Sequence, residues 1–335
     1  MSAEIREWHH IDAARFRAEI LPLQQPAVLR AVAEHWPAVR AGRAGAAEMA
    51  AYLRAMDVGA SAETMYGPPG IEGHFFYRDD LLGVNFERRA ARIVDSIEQL
   101  LRLRDEPAPH AIYVGSAPLP RALPAFTQQN AIGVLDAAVM PRIWIGNRVT
   151  VQTHFDISDN LACVVHGRRR FTLFPPDELP NMYVGPLDFT LAGQPVSLVK
   201  LANPDLGKYP LFAKALARAQ SAELGPGDAL YIPYMWWHHV ESRDTFNVLV
   251  NYWWDDARPW NGSPLEALVH GILAVRDLPP ERRELWRSVF DHYVFHADES
   301  KLAHLTQRQR GILGESSPSL AAFIKDWLMR ALGRR

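Results

Sequence analysis

Three residues in the second half of the chain have the types and the spacing of a metal site. His154 and Asp156 lie two positions apart, and His238 follows in a later segment. Residues i and i+2 of a strand point to the same face, so His154 and Asp156 can both face the interior of a barrel. Two imidazoles and one carboxylate form the facial triad that holds non-haem Fe(II) and leaves coordination positions open. The sequence therefore predicts a catalytic iron site at these three residues.

The context of His154 matters more than the His-x-Asp tripeptide, which also occurs at His10–Asp12 and His296–Asp298. The first of these copies lies among polar residues, and the second follows a helical pattern. By contrast, the β-branched run Val149–Val151 precedes His154, and apolar strand-like segments follow it. This context favours a metal ligand over the alternative, a pair of hydrogen-bonded polar residues at a strand end.

The residue pattern leaves the third ligand open between His238 and His239. Neighbouring strand residues point to opposite faces, so only one of the two can face inward. The bulky pair Trp236–Trp237 precedes them and is compatible with either choice. The remaining His would lie on the surface or support the site without binding the metal.

A run of three basic residues, Arg168 to Arg170, lies on a predicted strand. If its outer members face solvent, Arg169 faces the barrel interior, where a buried cation needs an anion. A dicarboxylate cosubstrate would supply that anion through a bidentate guanidinium–carboxylate pair. Asn160 and Asn251 lie on or beside the same strands and are candidate amide partners for the ligand. Tyr113 is a further candidate, although packing in the core is the alternative role for a buried Tyr.

Composition and charge are those of an ordinary globular protein. The 335 residues are 48% hydrophobic and 22% charged, and the net charge of −2 gives no global attraction to nucleic acid or anionic membranes. The one cysteine, Cys163, excludes an intrachain disulfide and is typical of a reducing compartment. We find no signal-peptide pattern and no apolar run of membrane-spanning length. We therefore expect a cytoplasmic protein without nucleic-acid or membrane partners.

Strand and turn signals predict a mainly β fold with flanking helices. Residues 111–256 carry short strand patterns separated by turns, as in an antiparallel barrel or jelly roll, and should form the catalytic core. Residues 1–110 mix helical and strand patterns and should pack on that core. Within it, we expect the Pro-rich residues 117–141 to be irregular and residues 176–222 to be rich in loops.

Residues 257–335 are predicted to be helical. Ser263–Glu266 has the sequence of a capping box with Pro at the first helical position. The last helix carries a broad apolar stripe from Leu320 to Leu332. This stripe either packs on the chain's own barrel or forms the face of a homodimer.

Several motifs occur in an order that resembles a known family over about residues 20–255. They are His154-x-Asp156, the GRRRFTLFPP segment Gly167–Pro176, Asn203–Asp205, the GPGDALYIP segment Gly225–Pro233, and Trp236–His239. The series resembles the cupin-like Jumonji-C hydroxylases, and among them the asparaginyl hydroxylases. The resemblance implies a double-stranded β-helix (cupin or jelly-roll) that binds Fe(II) and 2-oxoglutarate and reacts with O2.

The resemblance also assigns individual residues. It implies that His238, which directly follows the Trp pair, is the third ligand rather than His239. It places the family's carboxylate-binding Lys at Arg169, a change that keeps the charge and alters the donor geometry. Its supporting residues fall on Asn160, Asn251 and Tyr113.

One family residue has no direct counterpart. The Thr that contacts 2-oxoglutarate aligns with Val151, so Thr153 or Thr150 would have to replace it. We predict Thr153 as the cosubstrate contact.

The function implied by the resemblance is hydroxylation of a C–H bond in a protein or peptide side chain, by a homodimer joined through its C-terminal helices. The alternatives are a small amino-acid-like metabolite as substrate, a metal-binding cupin without turnover, and a Zn or Mn cupin enzyme such as an isomerase. Histone-type demethylation is less favoured. Residues 177–222 should decide between an open groove and a closed pocket.

Overall fold

The computed structural model describes residues 2–333 and divides the chain into two compact units, Met1–Asp255 and Asp256–Arg335. Residues 1–110, predicted to pack on the core, and the predicted core up to Asp255 both lie within the first unit. No helix in the described part of the chain is long and apolar enough to cross a membrane.

The first unit is built on two β-sheets. Their strands are β1 (Ala3–Glu4), β2 (Glu7–His9), β3 (Ala27–Arg30), β4 (Ser61–Gly67), β5 (His74–Phe75), β6 (Glu87–Arg92), β7 (Ala111–Pro118), β8 (Pro141–Gly146), β9 (Thr150–His154), β10 (Asp159–His166), β11 (Arg169–Phe174), β12 (Gln220–Leu224), β13 (Ala229–Ile232), β14 (Trp237–Ser242) and β15 (Asn247–Trp254). The six-stranded sheet has the order β1-β12-β11-β14-β9-β5, and the nine-stranded sheet the order β2-β3-β13-β10-β15-β8-β7-β4-β6.

Four antiparallel strands from each sheet form a barrel. They are β12-β11-β14-β9 in one sheet and β13-β10-β15-β8 in the other. Both sheets contribute to one buried apolar cluster, in which Phe171 and Val240 of the first sheet join Ala162, Leu230 and Leu249 of the second. The predicted double-stranded β-helix is therefore confirmed.

Strand β10 shows how the sequence positions the two faces of the larger sheet. Ala162 and Val164 belong to the barrel interior, whereas Leu161, Cys163 and Val165 belong to a second core on the outer face. A strand buried on both faces reads as a continuous apolar run, which is what Leu161–Val165 shows.

Helices cover the outer face of the nine-stranded sheet. The α-helices of the chain are α1 (Ala13–Arg15), α2 (Pro37–Ala44), α3 (Ala46–Arg54), α4 (Ile93–Leu103), α5 (Leu119–Ala122), α6 (Pro124–Gln129), α7 (Phe212–Ala217), α8 (Pro264–Val275), α9 (Pro280–Phe290) and α10 (Pro318–Leu332). Val39, Met49, Leu100 and Phe126, from α2, α3, α4 and α6, all join the core on that face.

Two segments are more regular than the sequence predicts. Residues 117–141 contain α5 and α6, because Pro120 and Pro124 each occupy one of the first two helical positions, where a missing N–H costs nothing. Residues 176–222 are loop-rich as predicted, but α7 and the start of β12 lie near their end. Strands β2, β3, β4 and β6 come from the first 110 residues and extend the nine-stranded sheet.

The second unit is helical, as predicted. The capping box at the start of α8 is present, with Leu265 N donating to Ser263 Oγ at 3.2 Å and Ser263 N donating to Glu266 Oε2 at 3.3 Å. No residue from 256 to 333 is buried. The helices of this unit therefore enclose no core of their own.

Gly42 provides a test of the packing between α2 and β10. A Cβ added at Gly42 would lie 2.1 Å from the backbone oxygen of Val165. We expect Gly42→Ala to lower the free energy of unfolding by about 2 kcal/mol, because a backbone atom must move to relieve the clash. Chemical denaturation of Gly42→Ala and of Gly70→Ala, where the added Cβ meets nothing within 4 Å, measures the difference. Equal stability of the two variants would contradict the packing described.

Candidate active site

The pairing of β9 with β14 brings two of the predicted ligands together. His154 at the end of β9 lies directly opposite His238 near the start of β14. A register shift separates this pair from the pair formed by Val151 and Val240, so β9 contains one extra residue there. Asp156 follows β9, and its backbone oxygen accepts a hydrogen bond of 3.0 Å from Met235 N, just before β14.

The three side chains form a compact donor set. Asp156 Oδ1 lies 4.0 Å from His154 Nε2, and Asp156 Oδ2 lies 3.6 Å from His238 Nε2. The two imidazole centroids are 4.1 Å apart, and one ligand atom from each residue lies within 4.8 Å of the others. The sequence prediction that these residues meet agrees with this geometry, and His238 rather than His239 completes the group.

Both imidazoles have the tautomer that a metal needs. His154 Nδ1 lies 2.8 Å from the carbonyl oxygen of Gln152, and His238 Nδ1 lies 3.0 Å from that of Trp236. A carbonyl can only accept, so each Nδ1 carries the proton and each Nε2 is left free to bind a metal. Burial, reinforced by the nearby His154 ring, lowers the pKa of His238 to about 4, which keeps it neutral.

Asp156 is oriented by a network of side chains. Trp253 Nε1 donates to Asp156 Oδ2 at 2.9 Å, and Asn160 Nδ2 lies 3.5 Å from the same oxygen. Asn251 Nδ2 donates to Asn160 Oδ1 at 3.3 Å, and Trp144 Nε1 donates to Asn251 Oδ1 at 2.8 Å. Residues that orient a ligand in this way tune its metal affinity. The donor set and its support fit a divalent metal such as Fe(II).

Arg169 is a buried cation with unpaired donors. The residue is 1% exposed, and its Nε and Nη2 atoms have no hydrogen-bond partner within the described residues. Its neighbours Arg168 and Arg170 are exposed, as strand alternation predicts. An uncompensated buried guanidinium is costly, so this position calls for an anionic ligand.

A cavity of about 70 Å³ joins Arg169 to the three candidate metal ligands. The predicted cosubstrate residues Asn160, Asn251 and Tyr113 also line it. The structure thus brings seven of the eight predicted site residues to one cavity: His154, Asp156, His238, Arg169, Asn160, Asn251 and Tyr113.

Thr153 is the residue that the structure does not bring to the cavity. It is buried beside His154, and its Oγ1 lies 3.2 Å from His239 Nδ1. Because neighbouring strand residues point to opposite faces, the orientation of His154 turns Thr153 away. Burial, with the nearby His74, lowers the pKa of His239 to about 3, so Thr153 faces a neutral imidazole. Val151 lines the cavity instead.

A larger cavity of about 470 Å³ adjoins the first and shares part of its lining. The shared residues are Tyr113, Trp144, Val151, His154, Asp156 and Trp253. A molecule in this cavity can therefore reach the candidate metal ligands. Besides Asp156, the charged side chains on its wall are Glu63, Arg88 and Arg142.

Sequence reasoning missed Trp253, Trp144 and Arg142. Strand alternation could have identified Trp253, because it lies two residues after the predicted Asn251 and so on the same face of the strand. Trp144 donates a hydrogen bond to Asn251 and therefore faces the site. Arg142 lies two residues before Trp144, on the same face of the strand.

Comparison with known proteins identifies the family. The model of the cupin-like domain matches residues 13–258. The chain belongs to the cupin-like domain family. The resemblance to cupin-like Jumonji-C proteins is thereby confirmed, whereas the narrower likeness to asparaginyl hydroxylases stays a prediction.

Relatives match over limited segments. The chain is 41% identical over 102 residues to lysine-specific demethylase JMJ31 of Arabidopsis thaliana, covering 30% of this chain and 18% of the relative. It is 41% identical over 102 residues to human tRNA wybutosine-synthesizing protein 5, covering 30% and 29%. It is 32% identical over 162 residues to the HSPB1-associated protein 1 homolog of Danio rerio, covering 47% and 35%. The matched segments span 18% to 35% of the length of these relatives.

The neighbouring pair His238 and His239 allows a sharp test of the donor set. We expect His238→Ala to weaken Co(II) binding by at least about 100-fold, since even residues that only orient a ligand typically contribute about 10- to 100-fold. His239→Ala should retain Co(II) binding because His239 lies on the other face of β14. Visible absorption titration of both folded variants measures the effect. Equal losses in the two variants would contradict the assignment.

Proposed function

We propose that the protein is an Fe(II)- and 2-oxoglutarate-dependent dioxygenase that hydroxylates a C–H bond of a protein or peptide side chain. One observation carries this proposal. A buried guanidinium whose Nε and Nη2 have no partner among the described residues lines the same cavity as two imidazoles with free Nε2 atoms and a carboxylate. A site for metal alone has no need of the guanidinium.

The metal and cosubstrate supply the oxidising chemistry: when they are bound, O2, 2-oxoglutarate and the C–H bond give the alcohol, succinate and CO2. The chain's own residues bind and orient. His154 and His238 would bind the metal through Nε2, and Asp156 through the carboxylate that Trp253 holds in place. Three protein ligands would leave coordination positions free for a cosubstrate and O2.

The cosubstrate assignment rests on charge and position. Arg169 would pair with the carboxylate of 2-oxoglutarate remote from the metal, through its free Nε and Nη2 donors. Asn160, Asn251 and Tyr113 line the same cavity and are proposed as further contacts. Thr153 is omitted from this proposal because it does not line the cavity.

The larger cavity bears on the substrate. Its volume of about 470 Å³ is large enough to admit a side chain of a polypeptide or an amino-acid-sized metabolite, which is our second candidate. Two of the relatives carry names that refer to lysine demethylation and to tRNA modification. These names support a macromolecular substrate and make RNA the competing hypothesis to the peptide that we favour. A cytoplasmic location remains part of the proposal.

The pair Arg169 and Arg170 provides a matched test of cosubstrate binding. Anaerobic titration of the Fe(II)-loaded protein with 2-oxoglutarate should give a visible metal-to-ligand charge-transfer band. We expect Arg169→Met to weaken 2-oxoglutarate binding by at least about tenfold, because charge-assisted hydrogen bonds contribute roughly 1.5–3 kcal/mol. Arg170→Met removes the same charge from an exposed position on β11 and should leave the titration unchanged.

Two outcomes would count against the proposed function. If no band forms although iron is bound, the cosubstrate assignment fails, and a metal cupin with other chemistry becomes the better hypothesis. If the two Arg variants lose affinity equally, the effect is one of overall charge rather than of an anion site at Arg169.

We also propose that the helical unit joins two copies of the chain. None of residues 256–333 is buried, and Phe323 and Trp327 on α10 are 50% and 52% exposed. Helices that enclose no core need a partner surface, and a second copy supplies a self-complementary one.

The homodimer proposal predicts a change of mass in solution. Trp327→Asp should convert a dimer into a monomer, because it places a charge in an apolar interface. Lys325→Asp, on the same helix, is the control and should leave the dimer intact. Light scattering coupled to gel filtration measures the mass. A wild-type chain that is monomeric at micromolar concentration would refute the dimer.

A further inference from the structure

Arg142 is a second cation on the wall of the larger cavity, and the proposed cosubstrate does not use it. It is half-buried on β8, and its Nη1 donates to the backbone oxygen of Ser116 at 2.9 Å and to Ser116 Oγ at 3.2 Å. No carboxylate among residues 2–333 lies within 4.0 Å of its guanidinium. Arg88, which lines the same cavity, is instead compensated by Glu63 at 3.8 Å.

The backbone that holds Arg142 is strained. Ser116 has a φ of +45°, in the left-handed region that residues other than glycine rarely adopt. It lies in a bulge, where the register between β7 and β8 shifts between Val114 and Ala117. Bulges beside functional sites redirect side chains, and such strain persists only where the surrounding structure enforces it. The bulge presents both acceptors of Ser116 to Nη1 and so fixes the direction of the guanidinium.

The position of Arg142 relates it to the candidate metal centre. Its guanidinium carbon lies 5.9 Å from the ring centroid of Trp253, and Trp253 Nε1 lies 2.9 Å from Asp156 Oδ2. A single indole ring therefore separates Arg142 from a candidate metal ligand. An anionic group bound at Arg142 would belong to the residue that presents its C–H bond to the metal, or to an immediate neighbour of that residue.

We propose that Arg142 binds a carboxylate of the substrate and thereby selects acidic substrates. The carboxylate is the side chain of an Asp or Glu in a peptide, or the α-carboxylate of a free amino acid. A single uncompensated cation facing this cavity, with Glu63 on the same wall, matches one negative charge rather than a chain of phosphates. The proposal rests on the proposed function for the reaction, but it concerns binding and can be tested separately.

Calorimetric titration under argon tests the proposal, with Fe(II) and saturating 2-oxoglutarate present so that Arg169 is occupied. The probes are the N-acetyl amides of Asp and Glu, their Asn and Gln counterparts, and free L-asparagine. We expect the acidic amides, free L-asparagine or both to bind about tenfold more tightly than the neutral amides. One charge-assisted hydrogen-bonded pair with Arg142 would account for a gain of this size. The acidic amides report a side-chain carboxylate, and free L-asparagine reports an α-carboxylate.

Variants locate the effect. Arg142→Met should abolish the preference for acidic probes, and Arg142→Lys, which keeps the charge without the planar fork, should retain part of it. Arg89→Met is the matched control. Arg89 is exposed on β6 of the same sheet, its guanidinium carbon lies 3.7 Å from the ring centroid of Tyr66, and it lines neither cavity, so its loss should leave the preference unchanged.

Several results would overturn the proposal. They are no measurable binding of any probe, carboxylate-bearing probes that bind no better than the neutral amides, and a preference for carboxylate-bearing probes that survives in folded Arg142→Met. Repeating the titration with metal-free protein separates the two proposals. If no charge-transfer band forms but the acidic preference persists, the cosubstrate assignment fails and the role of Arg142 stands.

Discussion

The pairing of β9 with β14 is the constraint on which the candidate site depends. It places His154 opposite His238, and the chain leaving β9 then carries Asp156 to the same side. Because side chains alternate along each strand, Thr153 and His239 point to the opposite face, where they contact each other. One backbone register therefore separates the residues that can bind a metal from those that only pack.

The interior holds opposite charges that the chain does not pair directly. Asp156 is satisfied by Trp253 and approached by Asn160, whereas Arg169 keeps two donors free. Burying a cation in this way is unfavourable for the unliganded protein, and a bound anion would remove the cost. The unliganded protein is therefore less stable because of this buried charge, but its binding site is already formed.

The sequence predicted the barrel and most of the candidate site because both depend on period-two alternation. Arg169 was predicted to be buried from its place between two other Arg residues, and strand context singled out His154. The pattern could not choose between His238 and His239, since either phase fits a strand flanked by bulky residues. It also missed the side-chain network around Asp156, because a tryptophan two residues from a predicted contact fits a role in the apolar core as well as a role in the site. The short helices α5 and α6 were missed because their prolines signal irregular chain as strongly as helix starts.

The nine-stranded sheet extends beyond the barrel, and this extension has an evolutionary consequence. The candidate metal ligands, Arg169 and Arg142 belong to the barrel, whereas Glu63, Arg88 and Ser116, which holds Arg142, lie on β4, β6 and β7, outside its eight strands. Mutations in these added strands can reshape the wall of the larger cavity while the barrel keeps its register. A lineage with this architecture can therefore change what it recognises without rebuilding the centre at which it reacts.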